Sequence, residues 1–153
     1  MNIRMFYPIL NILSCIILLF VGWGFTRSNV IITENFIEYT IHPVGIFAWL
    51  VLVVFVFMLL FIIKRYNKQN PDKKIKAFSI KPPEYNEDDE MYQYATMSAT
   101  KKVYTFLTWA LPMTLVLLLL PIPFSKFGIF VIIVCIIIVQ NLIFYFEMKK
   151  FKE

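Results

Sequence analysis

The sequence predicts an all-α integral membrane protein: four transmembrane helices in two antiparallel hairpins, with the third helix extended into the cytoplasm. Three observations carry this. Of 153 residues, 59% are hydrophobic and only 16% charged, whereas a soluble domain carries ~45–50% apolar and ~25% charged residues. Four apolar runs, residues 6–25, 44–63, 103–120 and 127–146, contain no Asp, Glu, Lys, Arg or His. Each has 18 to 20 residues, enough for a helix to cross a ~30 Å hydrocarbon core. An ordinary soluble domain and a disordered chain are both excluded by this balance.

The first run reads as a retained span, because no small-residue cleavage site followed by a polar stretch ends it. Ile12-Leu13-Ser14-Cys15 loosely resembles a lipoprotein cleavage box, but Leu13 is bulky there and the run stays apolar through Val21. Gly22 and Gly24 flank Trp23 near the outer end of the run. They suit a flexible end or close helix packing, and they lack the strand–turn–helix context of a nucleotide site.

The loop 26–43 holds two apolar stretches, 30–33 and 36–41, around Glu34-Asn35. The pattern predicts a small hairpin or interfacial segment lying over the bundle. His42, the single histidine, stands before Pro43 without a nucleophile or acid placed to work with it. A structural or interfacial role is expected of it. The second run then crosses back as a helix, since lipid leaves the backbone no other partner than itself.

Residues 64–102 form the charged middle loop and a juxtamembrane helix. Lys64, Arg65, Lys68, Lys73, Lys74, Lys76 and Lys81 supply seven bases against the single acid Asp72. Interleaved with Ile75, Phe78 and Ile80, they are candidate contacts to an anionic leaflet. Five acids follow between Glu84 and Glu90. Asn86 before Glu87, Asp88, Asp89 and Glu90 has the character of a helix start, with acids complementing the dipole. A helix is expected from about Glu87 into the third run. The four acids are a candidate docking patch for a basic partner. They lack the glycine and ligand spacing of a calcium loop. Pro82-Pro83-Glu84-Tyr85 matches the peptide read by WW domains only formally.

In the third run Pro112 removes the bond that the Thr108 carbonyl would accept and predicts a kink. Pro121-Ile122-Pro123 ends that helix, and a tight turn leads to the fourth run. The Ile and Val content of the fourth run would favour a strand in water. At this length, without alternation, helix prevails. The chain thus divides into a first hairpin, 1–63, with its outer loop 26–43, the charged segment 64–102, and a second hairpin, 103–153, with a basic tail.

Thirteen of the fifteen basic residues lie in the N-terminus, the middle loop and the tail; Arg27 and Lys126 are the two exceptions. The positive-inside rule then places both termini and the middle loop in the cytoplasm. Residue usage leans to Ile, Phe, Lys, Asn and Tyr, and no glycosylation sequon is present. Both suit the cytoplasmic membrane of a bacterium. The net charge of +5 is segregated between spans, so it reads as topology and lipid contact; no nucleic acid is expected as a partner.

Within the spans, polar residues cluster at one depth. Asn11 and Thr108 each lie five residues into their runs, and Asn141 lies five before the end of its own, beside Gln140. At 1.5 Å per residue they sit ~7–8 Å below the inner boundary. Together with Ser14 they predict an inner polar packing layer joining spans one, three and four. Span two offers only Met58 and Leu59 at this depth and is expected at the periphery.

Catalytic signatures are missing. No P-loop, H-E-x-x-H, G-x-S-x-G or S-x-x-K occurs, and Cys15 and Cys135 form no C-x-x-C pair. No metal site, cofactor or enzymatic activity is expected. The spans lack the intramembrane acid that proton-coupled transport generally uses. In size and topology the chain resembles small four-span accessory membrane proteins of Gram-positive bacteria. The expected function is a non-enzymatic accessory, regulatory or immunity-type subunit. Its expected partner is another membrane protein, or itself as an oligomer, within a bilayer whose inner leaflet is anionic. The alternative is a small oligomeric transporter or pore-forming protein.

Overall fold

A computed structural model of the chain describes the backbone of residues 3–32, 37–69, 71, 90–120 and 124–151. Helix α1 spans Ile3–Thr26, α2 Pro43–Gln69, α3 Glu90–Leu119 and α4 Lys126–Lys150. All four are long and apolar enough to cross a membrane, and the chain is a four-span helical membrane protein. Strands β1 (Asn29–Ile32) and β2 (Ile37–Thr40) pair antiparallel, with Asn29 opposite Thr40 and Ile32 opposite Ile37. The loop between α1 and α2 is therefore a hairpin.

The helices form a row rather than a closed square. α1 packs against α2 and α4, and α3 packs against α4. The order across the row is α2, α1, α4, α3, so α2 and α3 each occupy an edge. Neighbours in the row run antiparallel. Below, the terminal end is the one where α1 starts and α4 ends, and the hairpin end is the opposite one.

Close packing in lipid cannot draw on the hydrophobic effect, because acyl chains are as apolar as leucine; small residues that let backbones approach are used instead. Gly24 and Gly45 meet in this way at the hairpin end. A Cβ built on Gly24 would fall on the Gly45 backbone, and one on Gly45 would lie 3.1 Å from the Gly24 carbonyl carbon. Gly22 does the same between α1 and α4, where a Cβ would lie 2.7 Å from Cδ1 of Phe130. At the terminal end Ala95 and Ala99 of α3 are fully buried against Met148 of α4, with Phe144 and Phe151 around them.

Helix ends follow their local chemistry. Ser125 caps α4 by accepting from the Gly128 amide at 3.0 Å, and Lys149 and Lys150 lie in its last turn, facing the negative end of its dipole. Within the described residues α3 starts at Glu90 and continues without a break past residue 103. Its residues 90–102 carry the helix ~20 Å beyond the apolar run. Glu87, Asp88 and Asp89 lie outside the described residues, as do Lys73, Lys74, Lys76 and Lys81. Lys64, Arg65 and Lys68 are exposed on the last turns of α2. α3 includes Pro112 as a helical residue.

Candidate functional site

Among the described residues, three polar constellations stand out from the apolar surfaces. The first lies between α1 and α4. Asn11 donates from Nδ2 to Oδ1 of Asn141 at 3.2 Å. Asn141 donates to the Ile137 carbonyl at 2.8 Å, and Ser14 donates to the Asn11 carbonyl at 2.8 Å. Gln140 is half-buried beside them. Thr108 does not join. Its hydroxyl donates to the Tyr104 carbonyl at 2.9 Å on an exposed face of α3. The physical reason is its placement on an exposed face of α3, where a threonine can satisfy itself one turn back along its own helix. The polar contact thus joins spans one and four. On the other side of α1, Leu59 of α2 helps line a small cleft of about 60 Å³ with Phe6 and Asn11.

The second constellation is at the hairpin end. Ser28 donates to the Gly24 carbonyl at 3.1 Å and accepts from the His42 amide at 3.0 Å. His42 accepts at Nδ1 from the Val44 amide at 3.3 Å, and its ring meets Trp23 edge-on. The Arg27 guanidinium lies 4.4 Å above the Trp23 ring, a cation–π arrangement. His42 therefore works as a cap on the start of α2 and ties it to the end of α1.

The third joins α3 to α4 at the terminal end, one residue beyond the apolar run of α4. Glu147 is 7% exposed. Its Oε2 accepts from Lys102 at 2.7 Å and from Lys150 at 3.0 Å, and its Oε1 accepts from Ser98 at 3.4 Å. A buried carboxylate is costly unless paired and hydrogen-bonded, and here both conditions are met. The hydrogen bonds from Lys102 and then Lys150 hold its carboxyl below the usual carboxylate range, against the opposing effect of burial. The same bond to Glu147 raises the Lys102 ammonium above its ordinary value.

A groove of about 570 Å³ opens beside this cluster. α3 lines it with Lys102, Thr105, Phe106, Trp109, Ala110 and Met113, and α4 with Ile143. The α3 residues recur at three- and four-residue spacing, which places them on one helix face. Thr105 turns its hydroxyl to the Lys101 carbonyl at 2.9 Å, so the wall beyond Lys102 is effectively apolar.

Sequence reasoning passes over Glu147, although a signal is there: it is the sole acid in residues 91–152. Among the described residues no group of three or more His, Cys, Asp or Glu could hold a metal ion. Cys15 and Cys135 are both free thiols. No family model, no curated protein and no solved structure matches the chain.

Proposed function

We propose that the protein is a non-enzymatic partner subunit of a bacterial membrane complex, of accessory, regulatory or immunity type, seated in the cytoplasmic membrane with both termini inside. The outward face of α2 carries this reading. Phe47, Leu50, Val54, Phe57 and Phe61 recur at intervals of three and four residues, the spacing by which one helix seats its side chains on another. Phe47, Val54, Phe57 and Phe61 are each about two-thirds exposed. Among the described residues the helix that packs closely on α2 is α1, which leaves this stripe open along the edge of the row. Ridged aromatic and β-branched side chains offer a partner helix van der Waals complementarity, the term that drives association in lipid.

Two features support the rest. Charge-free spans speak against transport through a fixed intramembrane charge. The thirteen-to-two partition of basic residues supports the orientation.

A photo-crosslinking residue at Phe57 tests the reading in native membranes, with Leu115 on α3 as control. A recurrent adduct with one distinct polypeptide from Phe57, and none from Leu115, is expected. An adduct with itself alone would favour the alternative, an oligomeric transporter or pore. No protein adduct would overturn both.

A further inference from the structure

We propose that the α3–α4 groove holds one anionic phospholipid, with its phosphate against Lys102 and Lys150 and one acyl chain laid along Phe106, Trp109, Ala110 and Met113. The charge arithmetic of the cluster motivates this. Two ammonium groups converge on a single oxygen of Glu147, at 2.7 and 3.0 Å. One carboxylate neutralises one of them, and a surplus positive charge remains at the mouth of the groove. Both lysine side chains are more than half exposed, and each ammonium carries three donors, so a second anion can reach them from outside. Lys101 and Lys149, also exposed, stand next in sequence to the pair and reinforce the field.

The groove supplies the rest of the ligand's shape. It begins at Lys102 and ends at Met113, a run of ~16 Å along the helix at 1.5 Å per residue. Its wall changes from cationic to apolar in a single turn, the same order in which a phospholipid presents phosphate and chain. A basic pocket between transmembrane helices is a known form of headgroup recognition. A second copy of this chain could cover the apolar wall but would leave the surplus charge unanswered. The site is on the edge of the row opposite the α2 stripe, so it stands or falls separately from the partner-subunit reading.

Trp109 reports on the groove directly. The full chain with Trp23→Phe and Trp49→Phe keeps Trp109 as its one tryptophan. It is reconstituted in phosphatidylcholine vesicles containing equal small fractions of brominated phosphatidylglycerol or brominated phosphatidylcholine. Brominated phosphatidylglycerol should quench Trp109 as if roughly fivefold enriched there, equivalent to the ~1 kcal/mol of one basic residue near an anionic charge. The preference should fall with added salt. Lys150→Ala should reduce it. Ala110→Leu, which fills the groove and leaves the charges in place, should lower quenching by both lipids. Excess soluble glycerophosphoglycerol should leave the preference intact, since it lacks the chain. Equal quenching by the two lipids would overturn the proposal. So would an unchanged preference in Lys150→Ala protein whose helix content matches the wild type, or abolition by the soluble headgroup.

Discussion

Asn11 and Asn141 meet at 3.2 Å across the α1–α4 interface, each about five residues inside its own apolar run. An amide at that depth has lipid as its alternative surroundings, and a bond between two such amides fixes the register of the two helices. In membranes such contacts average ~0.6 kcal/mol and reach ~2. Asn11→Leu and Asn141→Leu should each lower stability by that order, as read by steric trapping in bicelles. The double variant should cost less than the sum, because neither amide is then left facing a leucine. Cysteines placed at 11 and 141, in a chain lacking Cys15 and Cys135, should cross-link.

The glycines of α1 should rank by what their missing side chains would strike. A methyl on Gly24 meets the backbone of Gly45, which cannot move without shifting α2. A methyl on Gly22 meets the ring of Phe130, which can turn. Overpacking of this kind costs ~1–3 kcal/mol. Gly24→Ala should fall at the upper end, Gly22→Ala at the lower end, and Phe130→Leu should restore much of the Gly22→Ala loss. Equal losses from both glycine variants, in the same assay, would remove the distinction.

Much of this fold is legible in the sequence because lipid leaves the chain few choices. Runs of 18 to 20 uncharged residues must be helices there, and the stretches around Glu34-Asn35 flag the hairpin. Lateral order is different. Apart from Gln140 and Asn141 the span of α4 is apolar all round, so its hydrophobic pattern does not say which face meets α1 and which meets α3. Equal depth brings Asn11 and Asn141 into reach, yet equal depth also holds for Thr108, which lies on an exposed face of α3 and bonds to its own turn. Gly24 and Gly45 are each visible in the sequence, while their pairing is a property of the hairpin that joins them. Glu147 is legible as a lone acid in a basic tail, but its burial depends on Ala95 and Ala99 permitting α3 to come close.

Thr96 offers a test of that close approach. It is 3% exposed, and among the described residues its hydroxyl has no hydrogen-bond partner. Leaving a buried polar group unpaired costs ~1–3 kcal/mol. Thr96→Val keeps the shape and removes the unpaired group. It should raise the unfolding midpoint in detergent titration, whereas Ala99→Leu at the same interface should lower it by separating the helices.

Orientation can be read chemically. Cysteines at positions 34 and 88, in the chain lacking Cys15 and Cys135, bracket the membrane if the basic asymmetry sets topology. In intact cells an impermeant maleimide should label position 34 and spare position 88. After permeabilisation it should label both. Labelling of both in intact cells would refute a cytoplasmic middle loop.

The Glu147 cluster should make the α3–α4 contact acid-sensitive, with a sign fixed by its geometry. The folded chain holds this carboxyl below its ordinary range through the Lys102 and Lys150 hydrogen bonds. The ionised form is therefore the one that folding favours, and folding gains from it fully above the unfolded-state pKa, ~4.3 for an ordinary glutamate. As pH falls through the depressed folded value, the carboxylate is neutralised and the gain is lost. Two ammonium groups then face each other without the anion between them, which adds repulsion. Nitroxides at the exposed positions Met97 and Phe146 should report an unchanged distance from neutral pH down to the ordinary carboxylate range. Below that range the distance should broaden or lengthen. Glu147→Gln should show the loosened distribution at neutral pH already and respond little to acid. Wild-type protein whose distance distribution stays fixed through strong acid would show that the buried pair is not what holds α3 to α4, and that Ala95, Ala99 and Met148 suffice.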